Sequence, residues 1–215
     1  MTPFTAAEFF AVFRAYNLAV WPAQIVLIAG AVAAVGLAQA RTRPGRSAAG
    51  FLLAAMWLWM GAVYHLMFFA SINPAAYVFG ALFILQGGLF AHAAWRGQLT
   101  FTRRGGASEA AGWVLVLYAL VVYPAIGLLT GRASPDGPTF GAPCPTAIFT
   151  LGLLLWADRP VPIRLLLVPL AWSLLGASAA WSFGMLEDVG LTLAGILTAL
   201  LIVRGNRRTT RALAP

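Results

Sequence analysis

Residues 17–46 read NLAVWPAQIVLIAGAVAAVGLAQARTRPGR. A run of about twenty apolar residues, the length that crosses the hydrocarbon core of a bilayer, is followed at once by Arg41, Arg43 and Arg46 in a short loop. The same alternation continues along the chain. Seven hydrophobic stretches can be read, roughly 18–40, 48–70, 75–95, 109–130, 145–157, 163–183 and 187–203. With the N-terminus outside the cell, Arg41, Arg43, Arg46, Arg96, Arg103, Arg104, Arg159, Arg164, Arg204, Arg207, Arg208 and Arg211 fall on the cytoplasmic side. Only Arg14 and Arg132 remain outside. That asymmetry follows the positive-inside rule at every loop. It predicts an all-α, seven-transmembrane-helix bundle with its N-terminus out and its C-terminus in.

Composition leads to the same class. Hydrophobic residues make up 61% of the 215-residue chain and charged residues 9%, and the mean hydropathy is +0.84. Such values suit a single transmembrane domain over residues 1–215 better than a soluble fold. The sequence pI near 11.1 would elsewhere raise nucleic acid as a partner. Here the arginines stand in short loops beside spans, where they orient the chain and meet anionic headgroups. The expected partner is therefore the lipid bilayer, with no nucleic acid. One cysteine allows no internal disulfide. No signal peptide is evident, because the first apolar run is a full span.

Three segments lie outside the spans. Residues 1–17 place Phe9, Phe10 and Phe13 on one helical face and are expected to rest on the outer membrane surface. Residues 131–144 form a long outer loop rich in Gly and Pro. Residues 204–215 form a basic cytoplasmic tail. An ungapped alignment of 52–85 with 167–200 pairs Trp57 with Trp172, Gly61 with Gly176, Gly80 with Gly195 and Asn73 with Asp188. A chain of three spans, one inverting span and three spans would produce this as a parallel internal repeat. Two Leu/Ala/Gly-rich hairpins matching by composition would do so too.

Polar groups within the spans gather in the outer half: Asn17, Gln24, Tyr64, His65, Asn73, Tyr123, Thr146, Thr150, Glu187 and Asp188. Polar groups in lipid are costly unless they face a bundle interior or a cavity. With Trp21, Trp57, Trp59 and Tyr77 as walls, they predict an outward-facing aromatic pocket for a small solute. Its binding residues would be Gln24, Trp57, Tyr64, His65, Asn73, Tyr123 and Asp188. An aromatic belt with interhelical hydrogen bonds is the plainer reading. Cys144, in Gly141-Ala142-Pro143-Cys144-Pro145-Thr146, is expected at the N-cap of the fifth span with Pro145 at the first helical position. There it would pair with His65 if the protein handles a soft metal or a thiol. Two ligands are fewer than zinc or copper sites use.

Enzyme signatures such as HExxH, GxSxG, Walker A and CxxC are absent, and no cofactor is expected. A chain without lysine cannot form a retinal Schiff base. A membrane sensor or accessory subunit remains a further alternative.

Taken together, Tyr16-Asn17, Trp21-Pro22-Ala23-Gln24, Tyr64-His65, Ile72-Asn73-Pro74-Ala75 and Phe140 to Thr146 resemble a family of bacterial multi-pass membrane proteins of unknown function. That resemblance implies the bacterial inner membrane and no particular activity. In architecture alone, a three-one-three arrangement is similar to SWEET and PQ-loop transporters, with Pro22, Pro145 and Pro169 at the places of hinge prolines. The second span departs from that group in having no proline, and no Pro-Gln dipeptide is present.

Overall fold

The computed structural model describes residues 3–102 and 105–213, so Arg103 and Arg104 of the expected inner loop lie outside the described residues. The chain is helical nearly throughout. Its helices are α1 (Ala6–Val20), α2 (Ala23–Ala38), α3 (Arg43–Trp59), α4 (Ala76–Trp95), α5 (Gly106–Leu117), α6 (Tyr123–Leu129), α7 (Pro143–Leu154), α8 (Leu167–Phe183) and α9 (Val189–Leu213). Among the described residues, four continuous helical stretches are long and apolar enough to cross a membrane: Arg43–Ser71, Ala76–Trp95, Gly106–Leu129 and Leu186–Arg211. The bent pair α1–α2 makes a fifth if taken as one span. Leu18, Val26, Val32, Met67, Val78, Leu85, Val114, Val121 and Leu193 are exposed around the bundle. An apolar exterior of that extent belongs against lipid, and with the long apolar helices it points to a membrane protein.

The first expected span, 18–40, is broken. α1 and α2 meet at 87° across Trp21-Pro22, where proline removes a helical donor and sits at the N-cap of α2. α1 is closed by a capping box, with Thr5 accepting from the Glu8 N–H and Glu8 accepting from the Thr5 N–H at 2.8 Å. Its aromatic face is not spread on a lipid surface. Phe9 and Phe13 are buried, in one cluster with Tyr64, Phe69 and Phe183. Aromatic stacking against the ends of other helices has captured the stripe that the sequence reading assigned to the membrane surface.

α3 continues into a π-helical stretch, Met60–Phe68, and then a 3₁₀ turn, Phe69–Ser71. A second π-helical stretch, Tyr118–Val122, joins α5 to α6 immediately before Pro124. The proline explains that one, because its ring displaces the carbonyl four residues earlier and the helix widens around it. Gly184 takes φ +64° at the end of α8, the left-handed cap that lets the chain reverse into α9.

α7 is the axis of the bundle. Every residue from Pro143 to Leu154 except Cys144 is buried. Its 12 residues rise only about 18 Å, well short of a bilayer core. Irregular backbone is tolerated at such depth only when protein surrounds it, and here it does. The loop 130–142 folds in above α7. Below it, Thr102 N–H bonds the Trp156 carbonyl at 2.9 Å and Asp158 N–H bonds the Thr100 carbonyl at 2.8 Å. The basic segment that follows residue 203 continues α9 as helix as far as Leu213.

The two hairpins of the sequence alignment are both present, α3–α4 and α8–α9, but in different registers. Gly61 faces Gly80 and Ile84, whereas Gly176 faces Asp188 and Leu191, and Gly195 faces Ser173. The π-helical stretch in the first hairpin changes its winding and shifts the residues that meet.

Candidate functional site

The end of the bundle that carries the loop 130–142 holds most of the buried polar groups, and they divide into a clasp, a carboxyl pair and two cavities.

The clasp fixes the loop. Gln24 Nε2 donates to Asn17 Oδ1 at 2.7 Å and to Thr139 Oγ1 at 2.8 Å, and Asn17 Nδ2 donates to the carbonyls of Pro135 and Gly137, both at 2.7 Å. Tyr16 adds a bond from its hydroxyl to the Gly141 carbonyl at 3.1 Å, while Trp59 Nε1 donates back to that hydroxyl at 2.8 Å. These groups satisfy one another. Gln24, a candidate for solute binding, ties α2 to the loop and lines neither cavity described below. Trp57 is likewise fully buried, donating from Nε1 to Thr150 Oγ1 at 3.0 Å and stacking on Phe83 at 4.5 Å.

The first cavity, of about 210 Å³, is walled by aromatic rings: Phe4, Phe9, Phe13, Tyr64, Phe69, Phe79, Trp172 and Phe183. Asn73, Cys144, Ser178 and Ser182 supply its few polar atoms. Of the residues expected at the site, Tyr64 and Asn73 line this space. The Asn73 side chain also accepts the Ala75 N–H at 3.0 Å, fixing the turn into α4. Trp21 and Tyr77, expected as walls, are instead 63% and 61% exposed. They face outward, as belt residues do. Phe9 and Phe13 of α1 and Phe183 at the end of α8 belong to this aromatic lining, and sequence reasoning missed them. The i, i+4 spacing of Phe9 and Phe13 was the available signal, read as a surface face.

His65 stands behind this wall. It is fully buried, edge-on to Phe83 at 4.6 Å and to Trp172 at 5.2 Å, and neither ring nitrogen has a hydrogen-bond partner among the described residues. The π-helical stretch positions it. Neighbours on an α-helix would diverge by about 100°, yet Tyr64 and His65 are both buried. Tyr64 faces α1, 5.3 Å from Tyr16, and His65 faces α4 and α8. π-helical bulges occur disproportionately at functional sites.

α7 begins two residues earlier than expected, which puts Cys144 inside its first turn. Ala142 is the N-cap, Pro143 takes the first helical position and Cys144 the second. Pro143 and Pro145 both suit a first turn, and the earlier one sets it. The thiol sits beside the Asp188 carboxyl and the Trp172 indole. It lines the aromatic cavity while His65 does not. Among the described residues no group of three or more His, Cys, Asp or Glu side chains could hold a metal ion.

Asp188 and Glu187 occupy the 3₁₀ turn before α9 and are both fully buried. Tyr123 donates to Asp188 Oδ1 at 2.7 Å, and Tyr118 donates to the Glu187 carbonyl at 2.9 Å. Arg132 lies 3.7 Å from Glu187 Oε2, donates to the Gly184 carbonyl at 2.7 Å and covers the Phe10 ring. On the far side of this pair lies a second cavity of about 320 Å³, between α2, α6 and the loop, with Tyr123, Arg132 and Glu187 on its wall.

Fold and site together define a membrane protein built as a helical bundle, with an aromatic cavity and a clasped loop at one end. The chain belongs to a family of unknown function, DUF6064, whose model matches residues 6–213. No curated protein and no solved structure matches it significantly.

Proposed function

We propose that this chain is a seven-span inner-membrane protein that takes a small, mainly apolar solute from the outer side into the aromatic cavity, for binding or transport. The cavity carries this reading. Apolar lining with a few convergent polar groups is the usual form of a small-molecule site. An apolar cavity of about 150 Å³ accepts benzene, so about 210 Å³ suits a single substituted ring. Seven spans arise when the four long helices and the α1–α2 pair are joined by the short apolar helices Pro143–Leu154 and Leu167–Phe183. The arginine asymmetry supports the outward placement of the loop 130–142 and its cavity.

The lone cysteine gives a direct assay. Cys144 in the purified protein should react with a small methanethiosulfonate, and indole or a cresol should protect it in a saturable manner while glycerol should not. Ser178→Trp, which places a ring in the cavity, should abolish the protection. Labelling that no aromatic solute slows would overturn the reading.

A further inference from the structure

The second cavity presents an unusual electrostatic arrangement. Glu187 is fully buried and lines the space, yet neither carboxylate oxygen accepts a hydrogen bond among the described residues. Its cationic neighbour, Arg132, stays at 3.7 Å, with its guanidinium directed to the Gly184 carbonyl and the Phe10 ring. A buried carboxylate without donors is costly, and the deficit is specifically one of donors. The remaining wall is mainly apolar, including Ile28, Leu120, Leu128 and Phe140; of its polar side chains Tyr123 is bonded to Asp188 and Thr139 to Asn17 and Gln24, and Ser134 lies in the loop. A bare inorganic cation needs about six oxygen ligands, as a calcium site does, and this wall holds one carboxylate, with Tyr123 and Thr139 already bonded elsewhere. A primary ammonium brings three donors on a compact charge, and its carbon body can occupy the apolar part of about 320 Å³.

We propose that this cavity is a binding site for a small organic ammonium ion, anchored by Glu187 with Tyr123 and Phe140 beside it. The site is separate from the aromatic cavity and does not rest on the solute reading above. Its mouth is formed in part by Leu128, which is 67% exposed.

The test uses the full chain in detergent, with benzylammonium as probe and thermal stabilisation as readout. Benzylammonium should raise the melting temperature in a saturable manner. In the Ser178→Trp chain, whose aromatic cavity is filled, benzylammonium should still do so, while benzyl alcohol, its neutral counterpart, and sodium chloride at equal concentration should not. Glu187→Gln, which keeps the shape and removes the charge, should weaken the apparent affinity at least tenfold. Leu128→Trp, at the exposed mouth, should weaken it similarly and keeps the test decisive if the buried substitution prevents folding. Cys144 labelling, followed in parallel, should be unaffected by benzylammonium. Equal stabilisation of the Ser178→Trp chain by the alcohol or by sodium, full binding by the Glu187→Gln or Leu128→Trp variant, no stabilisation of the native chain by benzylammonium, or protection of Cys144 would each overturn the proposal.

Discussion

Tyr123 donates to Asp188 at 2.7 Å in a fully buried setting, so its hydroxyl is the group whose loss is easiest to interpret. Tyr123→Phe keeps the ring and leaves one carboxyl oxygen without its donor. A stranded buried acceptor costs about 1–3 kcal/mol, and thermal denaturation in detergent should register a loss of that order. Asp188→Asn in the Tyr123→Phe background should then cost less than in the native chain, because the two side chains share one bond. Additive losses would place the contribution of Tyr123 elsewhere. At this scale the sequence was only partly legible. Tyr123, Asp188, Asn73 and Tyr64 were singled out as polar groups in apolar spans, and each is half-buried or buried at the loop end. Burial could be inferred from the cost of polarity in lipid. Partnership could not, because Gln24 meets Thr139 across 115 residues of chain and Trp57 meets Thr150 across 93. No local pattern encodes such pairings.

Helices follow the sequence where apolar length decides them, as in Ala76–Trp95 against the expected 75–95 and Gly106–Leu129 against 109–130. They depart from it where the backbone changes winding. Neither the π-helical stretch at Met60–Phe68 nor the right angle at Trp21-Pro22 has a periodicity of its own, and only the prolines at 22 and 124 hinted at breaks. Close helix contact explains part of the α3–α4 geometry. A Cβ on Gly61 would lie 2.8 Å from the Gly80 carbonyl oxygen and 2.9 Å from the Ile84 nitrogen, whereas one on Gly88 would meet nothing within 4 Å. Gly61→Ala must therefore push two backbones apart, at about 1–3 kcal/mol for an overpacked contact. Gly88→Ala only replaces glycine by a better helix former, worth up to about 1 kcal/mol. Melting temperatures should fall for the first and hold or rise for the second. A reversed order would mean that the two helices do not pack at Gly61.

For the molecule as a whole, the two arginines that break the charge asymmetry are the informative ones. Arg14 donates to Asp136 at 2.7 Å and Arg132 lies 3.7 Å from Glu187, so each cation at the loop end stands beside an acid. Arg43 and Arg46, at the opposite end, reach backbone carbonyls instead, Arg43 that of Gly97 and Arg46 those of Ala40 and Arg41. Orientation follows the bias of the arginines themselves, acids contributing little, and two arginines at the loop end stand against twelve expected on the other side. The expected orientation is thus N-terminus outside and C-terminus in the cytoplasm. Reporter fusions after Ala40, Ile72, Gly97, Arg132, Asp158, Gly184 and Arg211 should alternate, beginning on the cytoplasmic side. The fusions at Arg132 and Asp158 carry the most weight, since they flank the 12-residue α7, whose rise of about 18 Å crosses only with help from the folded loop above and the paired backbone below. If those two report the same side, α7 is a re-entrant helix and the count falls to six. In that case the Gly184 and Arg211 fusions would also exchange sides, and the C-terminal arginines would face outward against the charge rule.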